Sequence, residues 1–220
     1  MELWSSWWIP LLCSGISNAQ PLHKGEDFGA LKIGCGLSSM SLQSLNDSLL
    51  AEGFTGVREQ GMCIRLELQV VESKGLTVDG RVGLMTFKSH EATIKKSEMN
   101  SAAIDLLFGF EIIGFSERTS LYPMLGPGLR FTETVLRDGS EEAGTWKRAD
   151  VMLIGGLNSF HLFGSGPGCM VIGLSGELGW GLTSGGWDAK DPKVDLDPAP
   201  PGMFMQITAS LGYGVFRLHQ

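Results

Sequence analysis

Eight segments of this 220-residue chain alternate apolar and polar side chains with a period of two. Successive side chains of a strand point to opposite faces, so this alternation predicts strands with one apolar and one polar face. The predicted strands are 28–37, 62–70, 76–88, 102–112, 121–135, 151–163, 170–182 and 203–218. Each is close to the ~9–11 residues that a tilted strand needs to cross a bilayer.

The connections between these strands alternate in length. Three are short, at 72–75, 116–120 and 164–168, and four are long, at 38–61, 89–98, 138–150 and 183–201. An antiparallel up-and-down transmembrane β-barrel with both termini in the periplasm predicts this order, whereas a soluble sandwich does not collect its long connections at one end. The predicted fold is therefore all-β, a barrel of about eight strands.

The first long connection contains a helical pattern. Over 41–52 the leucines are spaced three and four residues apart, Ser39 or Ser41 could cap the start, and Gly53 is suited to the end. We expect a short amphipathic helix that covers the mouth or an edge of the barrel. The alternative is a lid over a ligand.

The two faces of the predicted strands differ in chemistry. One carries Leu, Ile, Val, Met and Phe, and the other carries mostly Gly, Ser and Thr with charges of both signs. The charged residues assigned to the polar face are Lys32, Arg65, Glu67, Asp79, Arg81, Asp105, Glu111, Arg130 and Glu177. Because a small barrel has a narrow lumen, we expect these charges to pair inside and plug it, which argues against a general diffusion porin.

The N-terminal residues 1–19 are predicted to be a signal peptide. An apolar stretch at 7–13 is followed by Ser17-Asn18-Ala19, whose small residues suit cleavage after Ala19, although no Lys or Arg precedes the stretch. Residues 20–27 would then be a periplasmic lead-in and 28–220 the barrel domain. No later segment is long and apolar enough for a membrane-spanning helix.

Composition excludes several classes of protein. A formal net charge of −7 argues against a nucleic-acid partner, and the absence of a CxxC pair argues against a zinc ribbon. We predict no metal site and no cofactor, and we interpret the acidic loop 187–197 as solvated. Cys35 and Cys63 fall on opposite faces by parity, so free thiols are expected.

Aromatic residues near strand ends are candidates for girdles at the two membrane interfaces. These residues are Phe115, Tyr122, Trp180, Trp187, Tyr213 and Phe216.

The segment Leu125-Gly126-Pro127-Gly128-Leu129-Arg130-Phe131 and the closing segment 209–216 resemble the eight-stranded outer-membrane β-barrel superfamily, the OmpA-like and porin-like barrels of Gram-negative bacteria. The resemblance covers most of 28–220 and implies the cell outer membrane as location, outer-membrane lipid and the barrel assembly machinery as partners, and a monomer. Pro123 and Pro127 each remove a ladder donor, so a bulge or a frayed stretch is expected there.

Ser159 and His161, with Glu177 on the next strand, have the residue types of a Ser/His/acid hydrolase site. The predicted topology places the first two at the periplasmic end, away from Glu177, so we expect no enzyme. The favoured function is structural, adhesive or ligand-presenting through the long loops, with the extracellular partner open. The alternatives are a lipid-modifying enzyme that resembles lipid A deacylases and a soluble lipocalin-like carrier of hydrophobic ligands.

Overall fold

The computed structural model describes residues 27–72, 75–89, 94–111, 113–116, 118–164, 168–182, 187–190 and 202–217. The predicted signal peptide 1–19, residues 20–26 of the predicted lead-in and most of the acidic loop 187–197 lie outside the described residues.

Ten strands and one helix form the regular structure of this part of the chain. The strands are β1 (Asp27–Met40), β2 (Gln60–Val71), β3 (Leu76–Phe87), β4 (Lys95–Phe110), β5 (Ile113–Ser116), β6 (Thr119–Asp138), β7 (Glu141–Phe163), β8 (Gly168–Gly181), β9 (Asp188–Lys190) and β10 (Met203–Arg217). The short β5 and β9 pair with the start of β6 and with part of β7. The other eight overlap the eight segments of alternating side chains, which confirms the all-β prediction, although β4 begins seven residues before its predicted start, within the predicted loop 89–98.

These eight strands form a closed antiparallel up-and-down barrel. Each pairs with its neighbour along the chain, and β1 closes the barrel against β10. One ring of directly opposed residues runs Gly29, Val70, Val78, Phe108, Leu125, Gly155, Leu178, Met205 and Ser39. The ring leaves β1 at Gly29 and returns to it ten residues later, at Ser39. This stagger means that the strands tilt, by roughly 35–45° in barrels of this kind, around a narrow interior.

The third of the four predicted long connections differs from the prediction. Residues 138–150 were expected to form a long loop, but β6 and β7 continue as a paired hairpin that turns at Gly139 and Ser140. Gly139 has a φ of 64°, which a tight turn of this kind requires. Inward-pointing Leu136 and Trp146 are fully buried, so the alternation of faces extends into this segment.

The two prolines of β6 cause no bulge. The ladder between β4 and β6 runs to Asp105–Gly128 and resumes at Phe108–Leu125 in the same register, so Pro127 falls in the gap. The pairing of β6 with β7 continues past Pro123 and Pro127 without a shift. Of the two expected features, a bulge or a frayed stretch, no bulge forms, and the interrupted ladder beside Pro127 is the second: its skipped positions accommodate the missing donor of Pro127.

The first long connection contains the predicted helix, α1 (Gln43–Ala51). Neither Ser39 nor Ser41 caps it: Ser39 lies in β1, and the N-cap is Leu42 without a side-chain cap. Gly53, with a φ of 79°, follows its end. Leucines at 45 and 49 are buried in the same hydrophobic cluster as Phe54 and Val57.

Among the described residues, no helix has both the length and the apolar character that crossing a membrane would need.

Candidate functional site: the barrel wall and its interior

The outer face of the barrel is a band of exposed apolar side chains. Outward residues of three strands show it: Met62, Ile64, Leu66, Leu68 and Val70 on β2; Met170, Ile172, Leu174, Leu178 and Trp180 on β8; Met203, Met205, Ile207, Leu211, Tyr213 and Val215 on β10. None of these outward positions carries a charged side chain. Soluble monomers rarely expose contiguous apolar patches larger than a few hundred Å², so a band of this extent requires an apolar surrounding.

The inner face carries the charges. Six of the nine predicted residues form one continuous chain of buried ion pairs, in the order Lys32, Glu67, Arg65, Glu177, Arg81 and Asp79. Lys32 Nζ lies 2.7 Å from Glu67 Oε2, and Arg81 Nη1 lies 2.7 Å from Glu177 Oε1. Because each carboxylate and guanidinium has an opposite charge in contact, burial does not leave these ions uncompensated.

Two further pairs lie inside the wall. Arg130 Nη1 is 2.5 Å from Asp105 Oδ1, and Arg148 Nε donates to Asp150 Oδ1 at 2.6 Å. The second pair was missed because its segment was interpreted as a loop. The remaining predicted residue, Glu111, lies half-buried just beyond the end of β4, outside these ion pairs, where its backbone N–H donates to the carbonyl of Gly75.

The charges of these ion pairs balance. Five cations (Lys32, Arg65, Arg81, Arg130 and Arg148) face five carboxylates (Glu67, Asp79, Asp105, Asp150 and Glu177). A void beside Cys63, Arg81 and Arg130 has a volume of about 10 Å³. A cavity of that volume has room for about one water molecule.

Tyr122 was predicted to lie at a membrane interface, and this was wrong. Its side chain is fully buried in the barrel, where the hydroxyl accepts from the amides of Gln69 and Asn158 and donates to Asp79 Oδ2 at 3.2 Å. Tyr122 shares the parity of Arg130, which assigns it to the inner face. A buried tyrosine hydroxyl needs such partners, and this polar cluster supplies them.

Four of the other five predicted interface aromatics divide into two groups. Trp180 and Tyr213 are exposed on the outer face, near opposite ends of the barrel. Trp187 and Phe216 are only half-buried and pack against the hydrophobic core, so an outward girdle position was wrong for them. The Phe216 ring lies 5.1 Å from that of Phe28, because its position in β10 points inward. The side chain of Phe115 lies outside the described residues.

Ser159, His161 and Glu177 do not assemble into a hydrolase site. Ser159 and His161 occupy outward positions near the end of β7, whereas Glu177 is buried on the inner face of β8 opposite Gly156. His161 Nδ1 is hydrogen-bonded to Thr119 Oγ1 at 2.6 Å. The barrel wall therefore separates the acid from the other two groups.

The three cysteines in the described part of the chain are free thiols. Cys35 is exposed on the outer face, and Cys63 and Cys169 are buried. Cys35 is opposite Ile64 in the ladder and Cys63 is opposite Gly36, so the thiols of Cys35 and Cys63 point to opposite faces of the wall.

No protein-family model matches the chain, and no curated protein is similar to it in sequence. Solved structures are similar in fold. A major outer membrane protein from Thermus thermophilus shares 11% identity over 88% of this chain and 100% of that chain, with a TM-score of 0.50. Ail, the attachment invasion locus protein of Yersinia pestis, shares 18% sequence identity over 87% of this chain and 99% of its own, with a TM-score of 0.48. OprG from Pseudomonas aeruginosa shares 11% sequence identity over 90% of this chain and 98% of its own, with a TM-score of 0.47. The chain thus has the fold of the eight-stranded outer-membrane β-barrels, as the resemblance in its sequence predicted.

Proposed function

We propose that this protein is an integral β-barrel of the outer membrane of a Gram-negative bacterium, with both ends of the barrel chain and its short turns in the periplasm and its long-loop end at the cell surface. The observation that carries the proposal is how apolar and charged side chains are divided between the outer and inner faces of the barrel wall. The outward positions named above on β2, β8 and β10 are uncharged and apolar, exposed charges such as Glu133 and Lys147 lie near the long-loop end, and ten charged groups of the wall point inward and pair. Lipid is the surrounding that this distribution suits.

A soluble lipocalin-like carrier needs the opposite distribution. Such a barrel has an apolar interior for its ligand and a charged exterior. Here the interior contains the chain of ion pairs from Lys32 to Asp79, and a void beside Arg81 and Arg130 measures about 10 Å³. A hydrophobic ligand would have to displace paired, buried charges, and this argues against the carrier.

The interior also supports a plugged lumen. Buried ion pairs fill the middle of the barrel, and the rings of Phe28 and Phe160 stack 5.8 Å apart toward the short-turn end. The charges of these ten paired groups cancel, so the ion pairs themselves offer no net charge to attract a permeating ion. The barrel therefore serves as a scaffold and does not conduct bulk solute.

The long-loop end is the part that can meet partners outside the cell. The first long connection is fastened to the barrel, since Ser41 N–H donates to the carbonyl of Met203 and Thr55 N–H to that of Lys95. The β6–β7 hairpin extends the wall on the same side. A fixed surface of this kind suits a structural, adhesive or ligand-presenting role for a monomer inserted by the barrel assembly machinery.

Fractionation and detergent extraction test the location. We expect the protein in the outer-membrane fraction, soluble only with detergent, and migrating faster on a gel when it is not boiled. The predicted signal peptide gives a mature chain that begins at Gln20 in its intact mass. Full solubility without detergent would refute the membrane assignment.

Conductance tests the plugged lumen separately. In planar bilayers the inserted protein is expected to show no steady solute-conducting openings, with a general porin inserted in the same bilayer as the positive control. Sustained conductance by the folded protein would refute the plug but leave the membrane assignment intact.

A further inference from the structure

Two buried guanidinium groups of the barrel interior have donors that no protein group uses. Arg81 and Arg130 line the same void, and their side chains are almost completely buried. Their terminal nitrogens have acceptors, since Arg81 Nη1 donates to Glu177 and Arg130 Nη1 to Asp105. Their Nε–H groups are also buried, but these donate to no atom of the residues that the structure describes. Because a buried donor without an acceptor is costly, an acceptor is expected inside the void.

Other arginines of the interior do not share this feature. Arg65 Nε donates to Glu67 Oε1, and Arg148 Nε donates to Asp150 Oδ1 at 2.6 Å. A protein acceptor at Nε is therefore available to a buried arginine of this barrel wherever a carboxylate lies beside it. The two unused Nε–H groups belong to the two arginines whose carboxylates are bound by other guanidinium nitrogens.

The same void also presents acceptors. Asp105 lines it and is opposed to Arg81 in the β3–β4 ladder, and Gln206 lines it from β10. Each carboxylate oxygen of Asp105 accepts from Arg130 and has a further lone pair. A group that accepts from two N–H donors and donates to a carboxylate is a water molecule, whereas a halide would be repelled by Asp105. The volume of about 10 Å³ is that of a site for about one water.

Gly83 keeps this space open. It lies on the inner face of β3, two residues from Arg81, and it lines the void. A Cβ at this position would lie 3.3 Å from Arg65 Cβ and 3.9 Å from Ala103 Cβ. A methyl group would therefore fit after a shift of a few tenths of an ångström, but it would take room that the void now has. Gly83 is thus a position at which the site can be filled without disturbing an ion pair.

We infer that this void is a binding site for one structural water molecule, which accepts from the Nε–H groups of Arg81 and Arg130 and donates to Asp105. The water joins the Arg130–Asp105 pair to the chain of ion pairs from Lys32 to Asp79, so that charges from six strands form one hydrogen-bonded network. The ion pairs alone do not make this link, and the water site does not depend on the membrane location.

Solution NMR of the full-length protein in detergent micelles, with isotope-labelled arginine, tests the water site. Dipolar cross-peaks between water and the Nε–H proton are expected for Arg81 and Arg130. Arg148 is the matched control, since it is equally buried, its Nε–H has a protein acceptor and it does not line the void. In the rotating frame, dipolar peaks have the opposite sign from peaks that arise by proton exchange. Arg81→Lys and Arg130→Lys assign the two signals, because each removes one of them.

Gly83→Ala should displace the water and abolish both cross-peaks, whereas Gly176→Ala on the outer face of β8 should keep them. Gly83→Ser supplies a hydroxyl in place of the water, so its folding equilibrium constant should exceed that of Gly83→Ala by about tenfold, as expected when a hydrogen bond to a charged group is kept. Ala103→Ser fills the void from β4 and replaces Gly83→Ala if that variant does not fold, which the migration of unboiled samples establishes.

Three results would overturn the water site. They are the absence of dipolar peaks at Arg81 and Arg130 in the wild type, peaks of equal strength at Arg148, and peaks that persist in the folded variant that fills the void. Solubility of the wild type without detergent would instead refute the membrane location, and the same spectra recorded in buffer would still test the water site.

Discussion

Arg65 on β2 and Glu177 on β8 form an ion pair across the barrel interior, although β1 and β10 separate their strands in the wall. The same carboxylate oxygen accepts from Arg81 Nη1 at 2.7 Å. Glu177 thus links cations from two other strands. Side chains that meet across the lumen make the ion pairs a connection between distant parts of the wall, in addition to the ladders between neighbours.

Removal of the Glu177 carboxylate is expected to destabilise the barrel. In Glu177→Gln, Arg65 keeps Glu67 and Arg81 keeps Asp79, but two buried guanidinium groups lose a shared counter-charge. Breaking a buried pair by removing one partner costs roughly 3–5 kcal/mol. Urea unfolding in lipid vesicles, followed by tryptophan fluorescence, measures the change in the free energy of unfolding.

Glu133→Gln is the control for this prediction. Glu133 pairs with Lys147 at 3.1 Å, but both side chains are well exposed, and such pairs contribute about 0–1 kcal/mol. If the two variants lost the same stability, the interior ion pairs would have no special role in holding the barrel closed.

Parity, and hence the inner and outer faces, could be predicted from the sequence, but the choice of partners could not. Alternation assigned Lys32, Arg65 and Glu67 to the lumen from each strand alone. Which cation meets Glu177 depends on the stagger of all eight strands, and a single strand does not contain that information. Arg148 and Asp150 were not predicted to lie in the lumen for a different reason: their segment was interpreted as a loop.

Two glycines of the wall are expected to differ in their tolerance of a side chain. A Cβ at Gly36 would lie 1.9 Å from the Ile207 carbonyl oxygen on β10, so the two strands would have to move apart. A Cβ at Gly176 would meet nothing within 4 Å. We expect Gly36→Ala to reduce the free energy of unfolding by about 1–3 kcal/mol, the usual range for overpacking, and Gly176→Ala to leave it unchanged or slightly higher.

Unfolding of both alanine variants in the same vesicles measures this difference. Gly176 is the internal control because it lies on an exposed position of β8. Equal behaviour of the two variants would mean that the close approach at Gly36 relaxes without cost.

A charge in the middle of the apolar band should be far more costly than one at its rim. Leu174, 58% exposed, lies near the middle of β8, and Thr86 points outward near the long-loop end of β3. Arginine at the bilayer midplane costs about 2–4 kcal/mol and near an interface about 0–1 kcal/mol. Leu174→Arg is therefore expected to lose much more stability than Thr86→Arg when unfolding is measured in vesicles. Similar losses would contradict the assignment of the band to lipid.

The cysteines offer a test of the two faces that needs no substitution. Cys35 is exposed on the outer face, and Cys63 and Cys169 are buried, so in a long reaction at alkaline pH, which supplies the reactive thiolate, the lipid-soluble reagent N-ethylmaleimide should modify Cys35 before the other two in the folded protein. Cys63 lies 3.8 Å from Thr208 Oγ1 inside the barrel, where the reagent has no access. Peptide mass spectrometry after a timed reaction in detergent gives the extent of modification at each position, and reaction after denaturation should modify all three. Modification of Cys63 as fast as Cys35 in the folded barrel would mean that the interior is open to small molecules, contrary to a lumen plugged by ion pairs.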